Sequence, residues 1–455
     1  MARLEKCVPF LLLAMFAPAV SPQCAPVHLT AQQAHQHIMD LLHIKSIRPG
    51  FSGNSKGPNP ANYDEAKAGP FSKIPDALVL NDGRPVTTPK IWWTERRPQI
   101  DAAFDKDVLG ATPKNIPPVH WKVVSTAREM NGEVPIITKK LVGHVDNSGC
   151  PAINVDIDVT LSTPANAKGP VPVIMELDLS PEVMALFAKR FPNLMKPKGP
   201  TWQQMVLSHG WGYASYIPTT AQPDSAAGLT EGIIGLVNKG QPRSADDWGV
   251  LKAWAWGASR ALDYFETDKA VDAKRVGIAG HSRYGKAALV AMAYDRRFAI
   301  GYISSSGEGG AKLYRHIFGE GEGNLASDEL YWMGGNFLKY DGPLTVNDLP
   351  VDANELIALC APRPVFISGG ATKGDGWVDA KGMFLAAAGA DPVYRVLGKK
   401  GLGTDVFPPI LTPLTSGALA FRQHDEGHTP MPNWPYFLNW AKRWLNPSGE
   451  KPSSN

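Results

Sequence analysis

Gly280-His281-Ser282-Arg283-Tyr284-Gly285-Lys286 follows a short apolar run, residues 275–279 (Arg-Val-Gly-Ile-Ala), and precedes an alanine-rich stretch, residues 287–293. That order predicts a strand, a sharp turn with a serine at its apex, and a helix. Such a turn lifts a hydroxyl clear of the backbone, where a base can approach from one side and a carbonyl from the other. The common form of the turn reads G-x-S-x-G. Here the second glycine stands one residue later, and two cations, Arg283 and Lys286, accompany the serine. The longer form is far more specific than the short one, and its cations point to an anionic substrate.

Strands and helices alternate around this turn from about residue 120 onward. Residues 171–177 (VPVIMEL) form a continuous apolar run, as a central parallel strand buried on both faces requires. Residues 211–217, 298–304, 364–368 and 393–397 read as further strands. Residues 244–266 read as a helix, with Ser244 and Asp247 as its capping pair, and residues 434–445 as a last helix. The pattern predicts a doubly wound, mostly parallel sheet with helices on both faces, and the serine elbow within it makes an α/β-hydrolase the expected fold. Residues 26–115 are rich in Pro, Gly and Asn. They hold a helical patch at 30–44, a loop at 50–66, a hairpin at 74–88 turning on Asn81-Asp82-Gly83, and a helical stretch at 92–104. With no linker to separate it, residues 23–115 read as an extension wrapped on a single catalytic domain, 23–455.

The chain has 455 residues and a formal net charge of +3, so it carries no polyanion-binding field. No basic run or recognisable module supports nucleic-acid binding. Residues 1–22 read as a signal peptide: Arg3 and Lys6, then the apolar stretch 8–20, then small residues, with cleavage between 19 and 25. This implies a secreted or periplasmic protein. No other segment is long and apolar enough to span a bilayer. Cys7 leaves with the signal. The spacing of Cys24, Cys150 and Cys360 fits no metal site. Cys150 and Cys360 either bridge or remain buried thiols, and Cys24 lacks the small residues that precede a lipidated cysteine.

A serine hydroxyl needs a base, and the base needs an orienting carboxylate. In α/β-hydrolases these follow along the chain in the order Ser, acid, His. The acid belongs just after a late strand, and Asp375 and Asp379 both follow 364–368. The base belongs in a loop before the last helix, where His428 and His424 compete; the glycine before His428 allows a tight turn. Against these stand plain alternatives: a turn serine, a structural histidine, a solvated aspartate, and cations on a helix surface. The glycine-rich stretch that often supplies an oxyanion donor is missing after 171–177, where Asp178-Leu179-Ser180-Pro181-Glu182 stands instead. The Arg283 N–H supplies one donor, and the Arg283 side chain is the nearest candidate for a second.

These residues resemble the glucuronoyl esterases of carbohydrate esterase family 15, especially their bacterial branch. The resemblance covers most of the chain. It runs through Asn62-Tyr63-Asp64-Glu65, residues 74–80, Asp246-Asp247-Trp248-Gly249, residues 253–257 and the elbow itself. It continues through residues 306–311, Ile317-Phe318-Gly319-Glu320, Asp375-Gly376-Trp377 and Gly427-His428. It implies hydrolysis of the ester between 4-O-methyl-glucuronic acid side groups of xylan and lignin alcohols, without a metal; the chain itself is read as a monomer that needs no cofactor. It implies Ser282 as nucleophile, His428 as base and Arg283 at the oxyanion. Lys286 and Glu320 would contact the sugar hydroxyls and Trp377 would pack on the ring. Some members carry the acid at the end of the strand after the elbow helix, where this chain has Ser304-Ser305-Ser306. Others carry it where Asp375 stands, which favours Asp375 and leaves Glu308 as the fallback. An acetyl- or feruloyl-type esterase and a non-catalytic glycan-binding relative are the alternative readings.

Overall fold

The computed structural model describes residues 24–69, 74–190 and 199–446. The signal-peptide reading lies outside them. Nine strands form one mixed sheet: β1 (Val119–Asn131), β2 (Val134–Val145), β3 (Asp156–Pro164), β4 (Val171–Leu177), β5 (Gly212–Tyr216), β6 (Val271–His281), β7 (Ile300–Ser304), β8 (Val365–Gly369) and β9 (Leu419–Gln423). Their order is β1-β2-β3-β5-β4-β6-β7-β8-β9. From β5 to β9 every pairing is parallel; β1, β2 and β3 pair antiparallel and join β5 antiparallel.

β4 shows why the apolar run had to be central. All seven of its residues are buried. Val173, Met175 and Leu177 enter the core shared with the helices Val250–Phe265 and Arg283–Tyr294. Ile174 points to the opposite face, among Val206, Leu207, Trp434 and Phe437 of the helices Trp202–Leu207 and Trp434–Leu445. Burying a side chain of this size contributes about 1.5–3 kcal/mol, so two such layers dominate the stability. This is an α/β-hydrolase sheet with helices on both faces.

The structure departs from the sequence reading at four places. Residues 119–164 do not alternate with helices: β1, β2 and β3 follow one another directly. The turn between β1 and β2 is Gly132-Glu133, with Gly132 at φ 60°. A glycine at the first of two loop residues is a hairpin signal in its own right, because that position needs a positive φ. Residues 393–397 are not a strand but the end of the helix Ala380–Val396, with Pro392 inside it. A five-residue apolar run cannot by itself separate a buried helix from a strand, and the last strand is β9. The helix expected from Ser244 begins at Val250. The Ser244 N–H does donate to Asp247 at 2.7 Å, but it closes a turn pinned against residues 109–111 by the Gly249 N–H to Leu109 and Ala111 N–H to Asp246 bonds. Residues 74–88 turn at Gly83 as expected, yet only a single bridge, Val79 to Pro85, joins the two arms.

The segment before β1 lies against the sheet's helices. The helix Ala31–Leu41, capped reciprocally by Thr30 and Gln33, buries Ala34 and Ile38. Arg97 donates to the Leu359 and Ala293 carbonyls, and Arg96 pairs with buried Glu355. Neither thiol reading for Cys150 holds. Cys150 bridges to Cys24, with Cα atoms 5.1 Å apart, and Cys360 is a buried free thiol. Among the described residues no helix is long and apolar enough to cross a membrane.

Candidate active site

Ser282 sits between β6 and the helix Arg283–Tyr294 with φ 58° and ψ −130°. A residue with a Cβ rarely adopts this conformation, and it costs of order 1–3 kcal/mol. The neighbours hold it there: the Ser282 N–H donates to Ser304 O on β7 at 2.9 Å, and Lys286 N–H donates back to Ser282 O at 3.1 Å. The two glycines serve different contacts. A Cβ on Gly280 would stand 2.2 Å from the Tyr284 carbonyl oxygen, and one on Gly285 would stand 2.8 Å from Ser304 O. The later glycine is therefore the one that lets the helix lie against the end of β7. Tyr284 fills the usual glycine position and is buried edge-on to Trp254.

The elbow opens into a cavity of about 630 Å³. Ser282, Arg283, Lys286, Glu320, Asp375, Trp377 and His428 all line it. His428 Nδ1 meets Asp375 Oδ1 at 2.6 Å. Asp375 Oδ2 accepts from Ser305 Oγ at 2.6 Å and from the Gly370 N–H at 2.8 Å. Burial raises the Asp375 carboxyl, but the His428 hydrogen bond and charge outweigh it, with Ser305 and Gly370 adding to them. The group is held below the usual carboxylate range. An ionised Asp375 on Nδ1 leaves His428 Nε2 as the ring nitrogen available to accept a proton.

The other side of the cavity is charged. Lys286 is buried and donates to Glu308 O and, at 3.1 Å, to Glu320 Oε2. Glu320 Oε2 also accepts the Glu308 N–H at 3.0 Å. Its Oε1 has no partner among the described residues, so it can accept from a hydroxyl. Arg283 and Lys286 both lie near the Trp332 ring, 5.1 and 5.6 Å from its centroid.

A family model described as glucuronyl esterase of fungi matches residues 243–398. The structure superposes on a solved family 15 glucuronoyl esterase from Teredinibacter turnerae with a TM-score of 0.87 at 44% identity, covering 91% of this chain and 99% of that one. A carbohydrate esterase from an unknown prokaryotic organism is 34% identical over 377 residues, 77% of this chain and 84% of the relative. The chain belongs to carbohydrate esterase family 15. As a family 15 member it is a carboxylic ester hydrolase. It is also 29% identical over 343 residues to the 4-O-methyl-glucuronoyl methylesterase of Schizophyllum commune, 72% of this chain and 74% of that one.

The competing residues of this esterase have other partners. His424 is buried; its Nε2 meets Thr429 O at 2.9 Å and its Nδ1 accepts the Glu426 N–H, so both nitrogens are used inside the loop. Asp379 caps the helix Ala380–Val396 through the Gly382 N–H and meets His316 Nδ1 at 2.6 Å. Glu308 is fully buried and paired with Lys312; the structure does not bring it to His428. The alternative place for the acid, at the end of β7, holds Ser305, whose hydroxyl supports Asp375. Among the described residues no cluster of His, Cys, Asp and Glu could hold a metal ion.

Two neighbours of the site had no sequence signal of their own. Asp224 meets Arg283 Nη1 at 2.6 Å. His281 packs on His428, with ring centroids 4.3 Å apart, and its Nδ1 lies 3.2 Å from Ser304 Oγ. Burial, and then the adjacent His428 ring, push the His281 imidazole down from 6.5 to about 3. Between about pH 6.5 and pH 3 the unfolded chain takes a proton that the folded chain refuses. Stability from this group is therefore complete above that window and falls as pH falls through it. His281→Gln is expected to flatten the loss of Tm between pH 7 and pH 4.5. An unchanged slope would show that His281 titrates in the folded protein.

Proposed function

We propose that the esterase hydrolyses the ester joining 4-O-methyl-glucuronic acid side groups of xylan to lignin alcohols. The observation that carries this reading is the hydrogen-bonding lining beside the serine: the esterified carboxyl is uncharged, and Arg283 and Lys286, paired with Asp224 and Glu320, meet the carbonyl and hydroxyls of a neutral sugar. Arg283 and Lys286 share the Ser282 cavity with Glu320 and Trp377, so the acyl side of the ester meets charge, a hydroxyl acceptor and an aromatic ring. A uronate ring presents matching hydroxyls within reach of its own carbonyl; an acetyl group offers none of them.

Ser282 Oγ attacks the ester carbonyl while His428 Nε2 takes the hydroxyl proton. Asp375 holds the imidazole through Nδ1 and stabilises the imidazolium. The oxyanion is met by the Arg283 N–H, which at the first position of its helix has no intrahelical acceptor, and by the Arg283 guanidinium. His428 gives its proton to the departing alcohol. A water molecule, deprotonated by His428, then attacks the acyl-serine. The uronic acid leaves and Ser282 recovers its proton. Lys286 and Glu320 hold the sugar hydroxyls and Trp377 packs on the ring. The enzyme acts as a monomer.

The same reading includes export. The Cys24–Cys150 bridge is of a kind that forms in oxidising compartments. It requires that Cys24 stay in the mature chain, so leader cleavage falls before it.

Hydrolysis of benzyl glucuronate, with and without a 4-O-methyl group, is the test. The uronate esters are expected to be turned over far faster than an acetyl ester. Preference for acetyl or feruloyl esters would replace the uronate assignment. Glycan binding without turnover of any ester would replace the mechanism.

A further inference from the structure

Asp224 stands in the loop after β5, 59 residues before Arg283, and one carboxylate there gathers three donors. Its Oδ2 accepts from Arg283 Nη1 at 2.6 Å. Its Oδ1 accepts from Trp332 Nε1 at 2.8 Å and from the Tyr331 hydroxyl at 3.0 Å. The Trp332 ring whose N–H is held in this way lies beside the Arg283 guanidinium and lines the cavity. Among the described residues Asp224 is the one carboxylate within ion-pair distance of Arg283. The Arg283 side chain is 44% exposed, whereas Asp224 is 18% exposed. The anchor is thus better buried than the group it anchors.

We infer that Asp224 is a positioning residue for the reaction: it fixes the Arg283 guanidinium so that its remaining N–H groups face the oxyanion. The inference rests on the oxyanion reading of Arg283. An arginine side chain free to rotate loses rotamer entropy when it is held. A donor stabilises a transition state most when it is in place before the charge develops. The Asp224 bond lies wholly within the protein, so it holds the guanidinium without help from a substrate. A guanidinium carries five N–H donors, so the bond through Nη1 leaves others for the substrate. The Tyr331 and Trp332 bonds fix the carboxylate in turn. A neutral amide at this position would keep much of the shape and lose the charge-assisted bond, which is roughly twice as strong as a neutral one.

The test is a double-mutant cycle on benzyl glucuronate with Asp224→Asn, Arg283→Ala and both together. Asp224→Asn is expected to lower kcat by about tenfold to a hundredfold, with a much smaller change in KM. Arg283→Ala is expected to lower kcat by about 10²–10³-fold. The double variant is expected to be no slower than Arg283→Ala, because Asp224 acts only through Arg283. A wild-type kcat for Asp224→Asn beside a slow Arg283→Ala overturns the inference, and so do effects that multiply. A wild-type kcat for Arg283→Ala overturns the oxyanion reading itself, and the role of Asp224 with it. If Asp224→Asn does not fold, Asp224→Glu takes its place in the same cycle. It keeps the charge and shifts it by one methylene, and the same fall in kcat is expected at an unchanged Tm.

Discussion

Ser282→Ala is expected to lower kcat on benzyl glucuronate by about 10⁴–10⁶-fold while the protein stays folded. The magnitude follows from what is lost. Without Oγ no acyl-enzyme forms, and His428, Asp375 and the Arg283 donors have no nucleophile to serve. What remains is substrate binding and direct attack by water. The fold is expected to be indifferent to this change. Alanine keeps the Cβ and so keeps the φ of 58° at the same cost. Ser282 is half-buried, and its side chain makes no capping hydrogen bond. Ser282→Gly separates the two effects: it is equally inactive, but it relieves the backbone and is expected to raise Tm. Residual activity within tenfold of wild type in either variant would remove Ser282 from the mechanism. Binding of glucuronate by Ser282→Ala, measured calorimetrically, is expected to survive, because Lys286, Glu320 and Trp377 are untouched.

The second large effect is expected at Asp375. Asp375→Asn is expected to lower kcat by about 10⁴-fold, because an amide no longer selects the Nδ1–H tautomer of His428 and no longer stabilises the imidazolium. The geometry makes the loss steep. Asp375 Oδ2 is already committed to Ser305 and the Gly370 N–H, so Oδ1 faces His428 alone. Glu308→Gln is the companion variant and is expected to behave oppositely. It breaks a pair with Lys312 in which both side chains are fully buried, and removing one partner of such a pair costs about 3–5 kcal/mol. Its Tm is expected to fall while kcat per folded molecule stays near wild type. Measuring Tm and active-site-titrated kcat for both variants separates a stability role from a catalytic one. A slow Glu308→Gln beside a fast Asp375→Asn would move the acid to Glu308.

What the sequence reveals of this site is what is local. The elbow, its strand and its helix lie within two dozen residues, and their residue types are dictated by backbone approach. Hence Gly280, Ser282, Gly285 and the two cations can be read directly. The choice between Asp375 and Asp379 cannot be read so directly, because four residues of chain leave both within reach of a late loop. Only the fold sends one to His428 and the other to a helix cap. Asp224 is less legible still. In Gln222-Pro223-Asp224-Ser225 it looks like any turn aspartate, and its three partners come from segments far along the chain. His281 was hidden in another way, since a residue beside a catalytic serine reads as filler until a second histidine is folded onto it. Among the strands, β4 was legible because both faces are buried. β9 is less legible because its short apolar start runs into Arg422 and Gln423, and the apolar end of the preceding helix imitates a strand.

The placement of β9 has a bearing on when the enzyme becomes active. β9 stands at one end of the sheet, bonded in parallel to β8 and, on its other edge, to Leu414 through an isolated antiparallel bridge, and the loop that carries His428 hangs from it. On the ribosome the serine elbow and its central strands emerge well before this strand does. Until β9 docks, the imidazole has no fixed address and the edge of β8 is bare, a surface that invites pairing with other chains. Catalytic competence therefore arrives with the closing strand rather than with the core, and a chain truncated before β9 would be both inert and prone to aggregate.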